Sequence, residues 1–270
     1  MNIRGGKENL GGFFLRIITG LVLFFIVLLL TLLGTLPLFF LIFIFLLFAL
    51  WEYLRILYNT GFIINPHLIF IVDLIFFPFI IFFPPIRLSL LMLMIVIFFF
   101  LSFLSAEKRK GFNFLASSIV SIFYLVIPST LFYQIRTLFG LKHIIFLLGC
   151  VIFFDSFSYF AGNLFGKRKI WERISQNKTI EGFLGGFLSV LIFSIIFSFF
   201  FRENTLKNII PGIFISFFAF FGDLWESMLK REMGVKDSSN ILPGHGGFLD
   251  RIDSLLLSIY FYFLYIANIV

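Results

Sequence analysis

The sequence predicts an all-α fold: a polytopic integral membrane protein with about nine transmembrane helices and a cytoplasm-facing polar cavity. Three observations predict it. Of 270 residues, 60% are hydrophobic and only 13% charged, with a mean hydropathy of +1.08, whereas a soluble domain carries about 25% charge. Apolar runs of about 20 residues recur along the whole chain, each long enough to cross a bilayer. They are continuous rather than alternating, which argues against a β-barrel. The 46 Phe residues also exceed what one soluble core could hide.

Taken in order, the expected spans are Phe13–Leu33, Leu36–Leu57, His67–Phe83, Ile86–Leu104, Phe112–Tyr133, His143–Phe165, Ile180–Phe201, Asn208–Leu229 and Leu249–Ile269. The first run is too long for a signal-peptide core and lacks a small-residue cleavage site, so it reads as a retained span. The third is weak: Asp73 sits inside it and Pro78, Pro84 and Pro85 interrupt its far end, so a shorter or re-entrant element is an alternative. The chain reads as one membrane domain, residues 1–270, whose C-terminal half (150–270) carries the chemistry.

Orientation follows from Lys and Arg. With the N-terminus inside, the inner segments hold sixteen of these residues and the outer segments five. The polar loops 106–111, 166–179 and 230–250 then all face the cytoplasm, and the C-terminus lies outside. The net charge of +7 suits basic loops against anionic headgroups or phosphorylated substrates, and no nucleic-acid partner is expected. Cys150, the single cysteine, allows no intrachain disulfide and reads as a packing residue. Trp51 and Trp171 read as interfacial anchors, and Lys108, Arg109 and Lys110 as a topology signal.

Charge at membrane depth costs about 2.5–3.5 kcal/mol at mid-helix on insertion scales, so such residues usually have a task. Asp155, in the sixth span, shares a helix face with Ser158 or Tyr159 and with Gly162. Asp223, Glu226, Ser227 and Lys230 form a polar stripe near the inner end of the eighth span, and Asp250, Asp253 and Ser254 repeat the pattern at the start of the ninth. Carboxylates that converge from several helices beside cations suit a hard divalent ion, although acids in a first helical turn also serve the helix dipole. Pro243-Gly244-His245-Gly246-Gly247 is a tight turn whose backbone N–H groups could line an anion. Lys178-Thr179 before Glu181 looks like a phosphate-gripping helix start but lacks the full Walker pattern.

The stretch from Ser227 to Asp253 resembles the signature of the phosphatidate cytidylyltransferase, or CDP-diacylglycerol synthase, family. The residues that carry it are Ser227, Lys230-Arg231, Lys236-Asp237, Pro243-Gly244-His245-Gly246-Gly247 and Asp250-Arg251-Ile252-Asp253. A second block is similar to the family's: Asp155, Tyr159-Phe160, Gly162, Phe165-Gly166-Lys167 and Lys178-Thr179-Ile180-Glu181-Gly182, with Ser175-Gln176-Asn177 where relatives often carry a proline. Trp51-Glu52-Tyr53 is a weaker echo. The resemblance implies transfer of a cytidylyl group from CTP to phosphatidate, giving CDP-diacylglycerol and pyrophosphate, by a Mg²⁺-dependent homodimer in the bacterial inner membrane.

Asp223, Asp250 and Asp253 are expected to hold metal, namely Mg²⁺, which a second, monovalent cation could join. Asp223, Asp250, Lys230 and Arg231 are the expected catalytic group. Asp155, Asn163, Lys167, Lys178, Thr179, Ser227, Lys236, Asp237, His245, Gly246, Gly247 and Arg251 are expected to meet substrate. No general base is required, because a phosphate nucleophile is already ionised. The competing readings are a CTP-dependent polyprenol kinase, a CDP-alcohol phosphotransferase (whose Asp-Gly-x-x-Ala-Arg motif is absent), and an ion or phosphate transporter, for which no inverted repeat is visible.

Overall fold

A computed structural model describes residue 22 and residues 25–108, 110–175, 177–239, 241 and 246–269, the side chains of 106–108 and 269 excepted. After a helical run at 25–33 come α1 (Thr35–Asn59), α2 (Pro66–Phe82), α3 (Arg87–Ser102), α4 (Gly111–Phe139), α5 (Leu141–Phe165), α6 (Ile180–Phe201), α7 (Thr205–Glu232) and α8 (Leu249–Ile269). Among the described residues there is no strand; an isolated antiparallel bridge joins Lys169 and Thr179.

Among the described residues six segments are long and apolar enough to cross a membrane: α1, Pro84–Ser105 containing α3, α4, α5, α6 and α7. The third expected span is a 17-residue helix with Pro78 inside it, short for a crossing. Most of Phe13–Leu33 lies outside the described residues, so the count of nine remains an expectation. The expected Ile180–Phe201 and Leu249–Ile269 coincide with α6 and α8, whereas α4 runs six residues past the expected Tyr133. The reason is local. Pro128 cannot donate a helical hydrogen bond; a π turn at Ile122–Val126 widens the helix before it, and a second at Ile135–Phe139 extends it. The helix stops at Gly140, whose φ of 96° needs a residue without a Cβ.

The outside of the bundle is greasy. Phe199 is 83% exposed, Phe200 77% and Leu88 66%, which is the surface expected against lipid rather than water. Lipid removes the hydrophobic drive for helices to associate, so close packing and polar contacts must hold them. α5 and α6 make the most extensive helix contact in the molecule, followed by α7 and α8 and then α6 and α7. Glycine permits this closeness. A Cβ on Gly182 would sit 2.9 Å from the Ser158 carbonyl oxygen, and one on Gly222 would collide with the Asp253 carbonyl oxygen. The second contact brings the start of α8 onto α7, where the polar residues gather.

Candidate active site

The polar residues divide into two neighbouring groups. The first is open. Asp223 on α7 has a side chain 38% exposed and pairs with Lys178, whose Nζ lies 2.8 Å from its Oδ2. Ser227, one turn on, donates to Asp223 Oδ1 at 3.4 Å. From α5, Asp155 accepts the Ser254 hydroxyl at 3.1 Å, and from α8, Asp253 accepts the Ser254 backbone N–H at 2.8 Å. Asp155 is ringed by protein yet reachable by water, while Asp253 is buried. Asp223 is near enough to both for the negative charges to oppose one another, and the positive charges of Lys178 and Arg251 act on Asp155. Asp155 lies ten residues inside the end of α5, about 15 Å at 1.5 Å per residue.

Lys178 reaches Asp223 because its loop is tied down. Thr179 caps α6, its Oγ1 accepting the Gly182 N–H at 3.0 Å. Glu181 in the first turn accepts the N–H groups of Lys167 and Arg168 at 3.1 and 3.2 Å. The N–H of Ile170 donates to the Lys178 carbonyl and that of Ile180 to the Arg168 carbonyl, each at 2.9 Å.

The second group is closed. Lys230 is buried between Glu226, one turn back on α7, and Asp250 of α8, with 2.5 Å to each carboxylate. The other oxygen of Asp250 accepts the Ser238 N–H (3.1 Å), the Ser238 hydroxyl (2.9 Å) and the Gly247 N–H (2.8 Å). Beside it lies Glu52 of α1, wholly buried. Its Oε1 accepts the Ser239 hydroxyl at 2.5 Å and the Phe248 N–H at 3.0 Å. Its Oε2 accepts the Leu249 N–H at 2.8 Å and lies 3.0 Å from the Ser238 hydroxyl, whose single proton it shares with Asp250. Glu52 thereby caps the N-terminus of α8 from a helix almost 200 residues earlier, where a carboxylate is favoured by both the free N–H groups and the dipole. Gly246, at φ 77°, and Gly247 are needed here: a Cβ on Gly246 would lie 2.6 Å from Asp250 Oδ2, and one on Gly247 2.5 Å from Glu52 Oε1.

The geometry gives the expected site residues different surroundings. Asp250 was expected as a metal ligand, but its oxygens are taken by protein donors, so in this structure it anchors the loop. Lys230, expected in the catalytic group, lies between two buried carboxylates and neutralises them. Gly247 was expected to offer its N–H to a substrate anion and offers it to Asp250. Thr179 was expected against substrate and is a buried helix cap. Arg231, a helical step of about 100° from Lys230, is exposed and donates to the Val235 carbonyl at 3.2 Å. Lys236, Asp237, Asn163 and Lys167 are exposed, and His245 lies outside the described residues. Among the described residues no three His, Cys, Asp or Glu side chains form a ready-made metal cage.

Two residues escaped the sequence reading. Glu52 carried the same signal as Asp155, a carboxylate inside an apolar run. Tyr124 gave none: it is one buried aromatic among many, on the first π turn of α4, edge-on to Trp225 at 6.4 Å. Its hydroxyl has no hydrogen-bond partner among the described residues and lies within the field of Asp253, Glu226, Asp223 and Asp250.

A partly exposed carboxylate, a paired lysine and two further acids thus meet inside a lipid-facing helical bundle, which makes this a helical membrane protein with a polar centre. The chain belongs to the cytidylyltransferase family, whose model matches residues 14–269. It is similar to proteins named phosphatidate cytidylyltransferase. That of Staphylococcus epidermidis is 40% identical over 153 residues, 56% of this chain and 58% of the relative. The Staphylococcus aureus protein is 39% identical over the same shares. The Bacillus subtilis protein is 42% identical over 142 residues, 50% of this chain and 52% of the relative. The matched stretch thus spans a little over half the length of these relatives.

Proposed function

We propose that this chain transfers a cytidylyl group from CTP to phosphatidate. A phosphate oxygen of phosphatidate attacks the α-phosphorus of CTP, the bond to the β-phosphate breaks, and pyrophosphate leaves with that electron pair; CDP-diacylglycerol is the lipid product. The observation that carries this reading is the Asp223–Lys178 pair, a partly exposed carboxylate with a buried ammonium held against it. Membership of the cytidylyltransferase family and the names of the relatives support it.

The chemistry needs charge screening and alignment more than a base. Lys178 is held by its loop so that its ammonium can move from Asp223 onto a phosphate oxygen without reorganising the backbone. Asp223 is then free as a hard oxygen donor, with Asp253 and Asp155 behind it. This donor set fits Mg²⁺, which is usually held by one or two carboxylates together with substrate phosphates rather than by a full protein cage. Asp223 and Asp253 would hold it, and when bound it would polarise the phosphates and screen the repulsion between two anionic substrates. The closed group, Glu52, Glu226, Lys230 and Asp250, keeps the start of α8 and hence Asp253 in place. The active crevice and N-terminus face the cytoplasm, and the protein works as a homodimer in the cell membrane.

The test uses the purified full chain with phosphatidate, Mg²⁺ and CTP labelled at either the α- or the γ-phosphate. The α-label is expected in lipid and the γ-label in pyrophosphate, only with all three present. A γ-label in lipid, or acceptance of a polyprenol in place of phosphatidate, would show a kinase instead. No label in lipid from a folded protein would remove the transferase reading.

A further inference from the structure

The loop between α5 and α6 carries a feature that the chemistry above does not use. An open cleft of about 650 Å³ is lined by Lys167, Lys169, Trp171, Glu172, Arg173 and Ile174. Its centrepiece is Trp171. This bulky residue sits at φ 49°, in the left-handed region that side chains with a Cβ seldom occupy and that concentrates at functional sites. The residue is 55% exposed. The strained turn is held in place, because the Trp171 carbonyl accepts the N–H groups of Ile174 and Ser175 at 2.9 and 3.0 Å. An interfacial anchor does not need this backbone: a tryptophan can reach headgroups from any ordinary conformation.

The three cations around the indole are equally available. Lys167, Lys169 and Arg173 are exposed, and no ion pair ties them to a carboxylate among the described residues. The cleft also adjoins the open carboxylate group. Trp171 packs at 6.4 Å from Phe221 of α7. Lys178 lies 5.6 Å over the neighbouring Phe220 and pairs with Asp223, so one ribbon of loop connects the indole to the reacting centre.

We infer that this cleft is the nucleotide seat: the pyrimidine ring stacks on Trp171, and Lys167, Lys169 and Arg173 draw the triphosphate towards Lys178 and Asp223. An aromatic face among cations is the standard composition of a site that takes a base and its phosphates together. The inference rests on the reading of the chain as a CTP-dependent transferase and adds the location of the nucleotide.

The experiment measures two things on the full chain in detergent: radiolabelled CTP binding by equilibrium dialysis without lipid, and the separate KM values for CTP and phosphatidate. The variants are Trp171→Gly, which tolerates the left-handed backbone, and Lys169→Ala combined with Arg173→Ala, which leaves the turn intact. Each is expected to weaken CTP binding about tenfold or more, in line with about 1–3 kcal/mol for one base stacked on an aromatic ring. The KM for phosphatidate should stay within about twofold, and the double variant should also flatten the salt dependence of CTP binding. Unchanged CTP affinity in both variants overturns the inference. A rise in the phosphatidate KM alone overturns it too and makes the cleft a headgroup contact. If the wild type transfers label to lipid while the variants bind CTP normally, only the nucleotide seat fails. If CTP binding depends on Trp171 but no label reaches lipid, only the transferase reading fails.

Discussion

The two halves of the helical bundle are held together by different means. In α1–α4 the buried surface is mostly Leu, Ile and Phe; α3 buries only Met94 and Phe98. In α5–α8 glycines let backbones touch, and carboxylates from α5, α7 and α8 meet at one level. The contrast is sharpest in two buried acids of the first half. Asp73 on α2 is fully buried, and its carboxylate accepts no well-formed hydrogen bond among the described residues; its polar neighbour Ser121 donates to the Ser118 carbonyl at 2.8 Å. Glu52 on α1 is equally buried and has its oxygens filled by donors from the second half. The first half is therefore a mostly apolar scaffold from which Glu52 reaches as a polar strut into the chemistry of the second.

The comparison breaks most visibly at Asp223. Asp223→Asn should lower turnover by at least about 10²–10³-fold, the scale of losing one well-placed electrostatic group, with unchanged thermal stability. Activity across a Mg²⁺ titration measures it, and near-full activity at any Mg²⁺ concentration would remove Asp223 from the reacting centre. Next in size is Lys230→Met, which leaves Glu226 and Asp250 buried without their counter-charge. A cost of about 3–5 kcal/mol is expected, read as a large fall in thermal midpoint, whether or not substrate is present.

Glu52→Gln tests the strut. An amide places donors where the loop already presents donors, so about 1.5–3 kcal/mol of stability should go. Activity should drop with it, because Asp253 follows the start of α8. Full activity together with a lowered midpoint would confine Glu52 to stability. Gly182→Ala tests the close packing of the second half; a Cβ 2.9 Å from the Ser158 oxygen should cost about 1–3 kcal/mol as an overpacked contact. The smallest effect belongs to Asp73→Asn. Since no good hydrogen bond is lost, the thermal midpoint should be unchanged or raised and transfer activity should match the wild type. A marked loss would show that the first half holds a second polar device.

Hydropathy and charge along the chain were enough to place this protein in a membrane and to find α5, α6, α7 and α8 within a few residues of their ends. Burial in lipid is a local property, readable from any run of about 20 residues. They were also enough to pick out Asp155, Asp223, Glu226, Lys230, Asp250 and Asp253, since charge at bilayer depth stands out, although Glu52 carried the same signal and was given no role. Tertiary structure alone decided which of those residues are open and which are consumed. Asp223 and Asp250 look alike in sequence, each an acid in a polar stripe within an apolar helix. One keeps a free edge because its partner Lys178 comes from a loop at the rim. The other is saturated by Lys230, Ser238 and Gly247. Whether a carboxylate can serve a substrate depends on how many donors surround it, and those donors arrive from helices that share no local pattern, as the reach from Glu52 to Leu249 shows.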